Sequence, residues 1–365
     1  MNALPILGGH LLTTSRLKLK RACDRLHHLR YDLGYKSLFE EAAPKFGTLW
    51  HLGQAAWWRA WELDADARLQ AALDAVAHAP DPFERVKAEE MLRGYHYRWI
   101  DEPYEVLAVE IEFACPLVHP ATGSVSPYWV LAGVIDAIVR DTRDGGVRIV
   151  EHKSSAEDIT PGSEYWRRLR LDTQVSVYYE GASALGYDVI GCIYDVAGKP
   201  TLHPKDVPEV DGDGVKIVLD ADGDRVRTKD GKKWRETSDA SLGYTLKTRA
   251  ETVDEYRARL NASIAEGPGR FYQRAEIVRL ESEILDARLE NWQTAEQIRE
   301  DAAADRHPRN QDACSRYGRT CQFFDVCTGL ASIDDPTRFQ RSERLHSELS
   351  DELVAAPSKE EEAAP

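Results

Sequence analysis

The chain has 365 residues, 42% apolar and 30% charged, with a formal net charge of −15. These figures describe a globular chain long enough for one large domain or two small ones, and they exclude a disordered or fibrous protein. No apolar run reaches the length of about 18 residues that a membrane-spanning helix needs, and the acidic sum counts only weakly against a nucleic-acid partner, because a binding site needs only a local basic patch.

In chain order, the N-terminal stretch MNALPILGGHLL is apolar but has no basic residue before it. It does not read as a secretory signal, so the expected compartment is the cytoplasm, where thiols stay reduced. Residues 15–100 read as helical: Leu26, Leu29 and Leu33 recur at helical spacing, as do Leu49, Leu52, Ala56 and Trp57. Separate helices are expected over Ala65–His78 and Pro82–Trp99. Tyr104–Leu117, Tyr128–Arg140 and Val147–Lys153 read as strands, the last two joined by the turn Asp144-Gly145-Gly146. A helix over Glu164–Leu185 and a strand over Asp188–Val196 follow, and the order implies an α+β core with a mixed sheet. Residues 199–250 are rich in Gly, Asp and Lys and read as a hairpin-bearing insertion. Thr252–Ala265 and Phe271–Asp301 read as helices, and residues 331–365 as an acidic tail without structure. Basic clusters stand at Arg16–Arg25, at Arg167, Arg168 and Arg170, and at Arg306–Arg319. No phosphate-binding G-x-x-x-x-G-K-[ST] loop occurs, so a built-in ATP motor is not expected.

The chemistry concentrates in Gly133-Val-Ile-Asp136 and Ile149-Val-Glu151-His-Lys153. Two strands joined by a tight turn bring Asp136 near Glu151, and Glu151 and Lys153, two apart, share a strand face. Each ends an apolar strand, a costly place for charge without a partner. A divalent cation such as Mg²⁺ supplies one, since it takes hard oxygen ligands; Asp136, Glu151 and the carbonyl of His152 could hold one or two ions. Lys153 is then placed to orient water or to stabilise the transition state. The plain alternative is a surface hairpin with an ordinary ion pair. Gln174 and Tyr178, four apart, share one helix face. His51, beside Trp50, Trp57 and Trp58, is either a metal ligand or a packed core residue, and Glu110 on the first strand is a candidate outer ligand.

Of the six cysteines, Cys115 and Cys192 lie in apolar strands and read as packing residues. Cys314, Cys321 and Cys327 form a tight C-terminal group, and Cys23 stands alone near the N-terminus. Four thiolates suit an iron–sulfur cluster or a Cys₄ zinc site.

The order His51, Asp136, Glu151-x-Lys153, Gln174-x₃-Tyr178 and Cys triplet resembles the PD-(D/E)XK nuclease superfamily, in particular RecB/AddB-like exonucleases with an iron–sulfur cluster, of the stand-alone phage or CRISPR-associated type. Gly47-x-x-x-His51 matches the same branch. The resemblance implies a restriction-endonuclease-like fold: an N-terminal helical region (1–100), a nuclease core (101–198), the insertion (199–250), C-terminal helices with the Cys triplet (251–330) and the tail (331–365). It implies Mg²⁺ or Mn²⁺ on His51, Asp136, Glu151 and the His152 carbonyl, with Asp136, Glu151 and Lys153 catalytic. Gln174 and Tyr178 would face DNA, with Arg167 and Arg168 lining a groove where bases stack against Tyr178. A 4Fe-4S cluster would sit on Cys23, Cys314, Cys321 and Cys327, with Zn²⁺ the alternative; the first gap of the triplet is wider than is common in that group. The implied activity is exonucleolytic digestion of DNA, single-stranded or at duplex ends, in company with a helicase or recombination partner. The alternative is a catalytically inactive DNA-binding or scaffold subunit of a recombination or CRISPR-adaptation complex.

Overall fold

The computed structural model describes residues 9–38, 46–316, 319–342 and 344–355. Its centre is a six-stranded mixed sheet: β1 (Leu11–Leu12), β2 (Tyr104–Val118), β3 (Val125–Asp141), β4 (Val147–Ser155), β5 (Val189–Gly198) and β6 (Tyr272–Ile277). β3 pairs antiparallel with β2 along most of its length. It also pairs parallel with β1 at Val130 and Leu131, and antiparallel with β4 over Ala137–Arg140. β5 runs parallel to β4, and β6 closes the far edge antiparallel to β5. Pairing with β1 ends at Leu131 and pairing with β4 begins at Ala137, so residues 132–136 of β3 have no strand partner on that side. A cleft opens there.

Two helical layers cover the sheet. On one face α2 (Phe46–Arg59), α3 (Ala65–Val76), α4 (Pro82–Trp99) and α7 (Val253–Glu266) pack Trp50, Trp57, Leu92 and Tyr256 over Ala137, Val139, Val150 and Ile193. On the other, α6 (Thr173–Ala184) and α8 (Glu281–Ala303) set Val175, Val177 and Ile298 against Ile138, Ile149, Cys192 and Tyr194. α1 (Thr14–Ala22) lies against α8 through the buried Lys20–Asp301 ion pair at 2.6 Å. Cys115 and Cys192 are buried in this second layer, as their apolar strands suggest.

Three expectations change. Phe271–Asp301 is not one helix: Tyr272–Ile277 is strand β6, and the helix begins at Glu281. The cause is tertiary, because β5 would otherwise leave a row of backbone groups unpaired at a buried edge. The Glu164–Leu185 helix is two pieces, α5 (Glu164–Leu169) and α6, divided where the Asp172 side chain accepts from the Gln174 N–H and caps the second. The tail is not without structure up to residue 355: Phe339, Leu345, Leu349 and Val354 are buried, the last two against Leu11 and Ala132. Its apolar residues are sparse but spaced to meet the open side of β3. The acidic run Glu360–Glu362 lies outside the described residues.

Candidate active site

Register places three carboxylates in one row. In the β2–β3 ladder Val109 faces Ala137 and Ile111 faces Ile135, so Glu110 stands opposite Asp136. In the β3–β4 ladder the last pair is Ala137 with Val150, so the next positions, Asp136 and Glu151, face each other where the strands part. Both neighbouring strands lose their alternation at this row. Ile135 packs with one layer and Ala137 with the other, and Ile111 and Val109 divide the same way. Glu110 itself has φ 49°, a left-handed conformation that non-glycine residues rarely hold without support from their surroundings. Such local distortion re-aims side chains beside a site.

Asp136, Glu110, Glu151, Lys153, His51, His152, Gln174 and Tyr178 all line one cleft of about 670 Å³. The Asp136 Oδ2 accepts from the His152 N–H at 2.6 Å. Glu151, only 2% exposed, receives the Lys153 ammonium at 2.5 Å and the Gln174 amide at 2.7 Å on the same oxygen. Gln174 also accepts from Lys153 at 2.8 Å and donates to the Tyr178 hydroxyl at 2.8 Å. One amide therefore fixes the acid, the lysine and the phenol together. α2 brings His51 to the cleft, and Gly47 at its start lets the helix approach: a Cβ there would stand 3.3 Å from the Ser154 Oγ.

The electrostatics favour a bound cation. Burial, with Glu151 and Glu110 nearby, raises the Asp136 carboxyl well above its ordinary range, and burial raises Glu110 in the same sense. Burial also lowers His51, with His152, Lys153 and Lys199 adding to the effect, to about 4, so its ring is neutral and able to ligate at neutral pH. Burial works against charge on Lys153, but Glu151 outweighs it and holds the ammonium above the usual lysine range. The second Glu151 oxygen, Oε2, is buried and finds no partner among the described residues. An unmatched buried carboxylate oxygen is costly, and a divalent ion is what this set of hard donors fits.

The residue between them turns the other way. The His152 ring lies 3.3 Å from Asp195 Oδ2 and 3.2 Å from the Gln54 amide, and Asp195 is held at 3.1 Å by Arg274 and also by the Tyr95 hydroxyl. His152 faces Asp195 across β4–β5, and Asp195 faces Arg274 across β5–β6. Only the main chain of His152 is therefore offered towards Asp136. Sequence reading missed this buried row, although Asp195 within the apolar strand Cys192-Ile-Tyr-Asp-Val shows the same signature that marked Asp136. It also missed Lys18, 2.7 Å from Asp172 and 3.4 Å from Gln174, and Thr13, Ser15 and Glu348 at the cleft wall.

Other expected residues are placed differently. Tyr178 is 6% exposed, with Phe113 edge-on at 5.9 Å between ring centroids, so the ring is packed and is not a stacking surface. Arg167 and Arg168 lie outside the cleft, paired with Glu164 and Glu157. The four cysteines meet at one junction. Cys23 Sγ accepts from the Asn310 N–H at 3.4 Å, Cys314 donates to the Asn310 carbonyl at 3.6 Å, and the Cys321 N–H donates to the Cys314 carbonyl at 2.8 Å. Burial raises the Cys321 and Cys327 thiols, and the charges of the other cysteines add to it. Among the described residues, no three of the cysteines bring their sulfurs within 4.8 Å of one another, whereas His28, Asp32 and His307 gather ligand atoms within that distance. Their two rings stack at 3.6 Å and 15°, which points the in-plane lone pairs along parallel lines, and Arg16 stands 3.9 Å from Asp32. That arrangement suits packing.

No match is found among curated proteins. Among solved structures, the crystal structure of SSO0001 is similar at 13% identity over 52% of this chain, with a TM-score of 0.22, and the match spans 63% of that chain. A model of the PD-(D/E)XK nuclease superfamily matches residues 11–328, most of the length, and the chain belongs to that superfamily.

Proposed function

We propose that the protein is a metal-dependent DNA exonuclease that acts on single-stranded DNA or duplex ends. The observation that carries this reading is the buried Glu151 carboxylate beside Asp136, with one oxygen clamped by Lys153 and Gln174 and the other without a partner among the described residues. Asp136, Glu151, the His152 carbonyl and His51 would hold Mg²⁺ or Mn²⁺. Such an ion supplies charge neutralisation at the scissile phosphate and a more acidic water. Lys153 keeps its proton and donates towards the charge that develops on the phosphate. Gln174 holds Lys153 and Glu151 in register so that neither must reorient during the reaction. Asp136 is fixed by the His152 N–H, and the cleft between β1 and β4 admits the strand. The motif order, G-x-x-x-H to Q-x-x-x-Y, supports the exonuclease branch of the superfamily.

The same reading gives Cys23, Cys314, Cys321 and Cys327 a 4Fe-4S cluster, which ties the first helix to the segment after α8. Support comes from Cys23 and Cys314, which both bond Asn310, and from Cys321, whose N–H donates to the Cys314 carbonyl. Digestion of end-labelled single- and double-stranded DNA with Mg²⁺ and with Mn²⁺ tests the activity. Labelled mononucleotide released from ends is expected, and intact DNA under all conditions overturns the proposal. Anaerobic purification tests the cluster: a brown protein is expected, and a colourless zinc-loaded one contradicts it.

A further inference from the structure

The insertion leaves the sheet at the rim of the cleft. Gly198, at the end of β5, pairs with Ser155, two residues beyond Lys153, and the Lys199 N–H donates to the Ser155 carbonyl at 2.6 Å. From there residues 206–250 form a small meander of short ladders: Asp206–Pro208 with Thr248–Ala250, Val218–Leu219 with Thr245–Leu246, and single bridges Leu219–Arg225 and Arg227–Trp234. Its turns end on glycines in the left-handed region, Gly214, Gly223 and Gly231. Val218 is the one buried side chain between residues 201 and 250. The element therefore gains little from burial, and its sequence is free to serve its surface.

That surface is polarised. Residues 206–224 hold most of the acids, whereas Arg225–Arg235 carries six basic residues and one acid, in a chain whose net charge is −15. Two of the six are tied within the arm, Arg225 to Asp211 at 2.6 Å and Arg235 to Asp239 at 3.1 Å. Arg225 and Arg227 both lie against the Trp234 ring, at 4.4 and 4.1 Å, which holds two guanidiniums close together against their mutual repulsion. Lys229, Lys232 and Lys233 are exposed around the Thr228–Gly231 turn and make no ion pair among the described residues. An ordinary solvated face would mix signs. A one-sign strip rooted at the rim of a nuclease cleft is what phosphodiester backbone attracts, by releasing counterions from it.

We propose that the 199–250 insertion is a substrate arm, and that its Arg225–Arg235 strip binds the phosphate backbone of the DNA that feeds the cleft. The inference rests on the nuclease reading for its partner, but not for its test. Backbone contacts carry no base identity, so the arm adds affinity without sequence preference. It acts on capture of DNA and not on bond breaking.

The test compares the full-length protein with the triple variant Lys229→Gln, Lys232→Gln, Lys233→Gln, and with Lys→Arg at the same positions. A fluorescent single-stranded oligonucleotide is titrated in EDTA across a salt series. The Gln variant should bind on the order of tenfold or more weakly near physiological salt, and its log–log salt slope should fall by about 2, as three lost single-strand phosphate contacts require. The Arg variant should bind as wild type does, and in Mg²⁺ the Gln variant should show a raised KM with unchanged kcat. Equal affinity and slope for wild type and Gln variant overturn the arm, even where cleavage is intact. Absence of cleavage by wild type overturns the nuclease reading, and a binding difference in EDTA still upholds the arm.

Discussion

Glu151, Lys153 and Gln174 form the smallest unit with chemical meaning. Each needs the others: Gln174 bonds both, and Lys153 neutralises an acid that burial would otherwise penalise. Replacing Lys153 with Ala is expected to lower the cleavage rate on the order of 10²–10³-fold, the usual loss for one transition-state donor. Single-turnover digestion checks this, and a rate within tenfold of wild type contradicts it. Protonation gives a second prediction. Burial and the neighbouring acids raise the Asp136 and Glu110 carboxyls above their ordinary range, so protons compete with a cation for them at higher pH than for ordinary carboxyls. Mn²⁺ affinity should therefore weaken as pH falls, and binding should release protons. Calorimetry in buffers of different ionisation enthalpy measures both; a binding heat independent of buffer contradicts them. At this scale E-x-K was legible because two residues on one strand need no knowledge of the fold. The turning away of the His152 side chain was not, because its partners Gln54 and Asp195, and the Arg274 that holds Asp195, come from three other elements.

At the scale of elements, the sheet carries two polar rows one residue apart, the acids Glu110, Asp136 and Glu151 and the row His152, Asp195 and Arg274. The second row lies under the aromatic layer: Arg274 stands 4.2 Å from the Trp99 ring, and His152 and Trp58 rings lie 5.8 Å apart. Burial would raise Asp195, but Arg274 and His152 outweigh it and hold its carboxyl below the ordinary range. A depressed carboxylate stabilises the fold above its unfolded value and loses that contribution as pH falls below about 4. Asp195→Leu should destabilise by about 3–5 kcal/mol, since it leaves the buried Arg274 charge with only the more distant Glu102, 3.6 Å away, in place of its 3.1 Å partner. Urea unfolding at neutral pH checks this, and a change under 1 kcal/mol contradicts it. Strands β2, β3, β4 and β5 were legible from apolar alternation and the Asp144–Gly146 turn. β1 is two residues long and β6 is half polar without regular alternation, so neither shows a pattern of its own; both exist because a neighbouring strand had an edge to fill.

For the whole molecule, the ends of the chain are brought together around the core. Cys23 meets the Cys314–Cys327 segment, and residues 344–355 return to the sheet, packing on β1 and β3 while Ser350 donates to Glu112 of β2 at 2.6 Å from both its N–H and its hydroxyl. Loop closure across so long a stretch makes the cysteine junction an effective staple in principle. On the proposed 4Fe-4S assignment, Cys23→Ser should lose the visible absorbance and lower the thermal midpoint. Retained colour with full iron content contradicts that assignment. The order of motifs along the chain made the superfamily legible, because each motif is local even though the site is not. The packing of the C-terminal segment was hidden, since Leu345, Leu349 and Val354 are too sparse in a polar stretch to announce a buried face.

The account stands on a cation between β3 and β4. Anomalous diffraction from crystals soaked in Mn²⁺ measures it directly. A peak bounded by the Asp136 and Glu151 carboxylates, close to His51, is the predicted result; Mn²⁺ bound elsewhere, with Glu151 and Asp136 making no contact to it, would contradict the assignment.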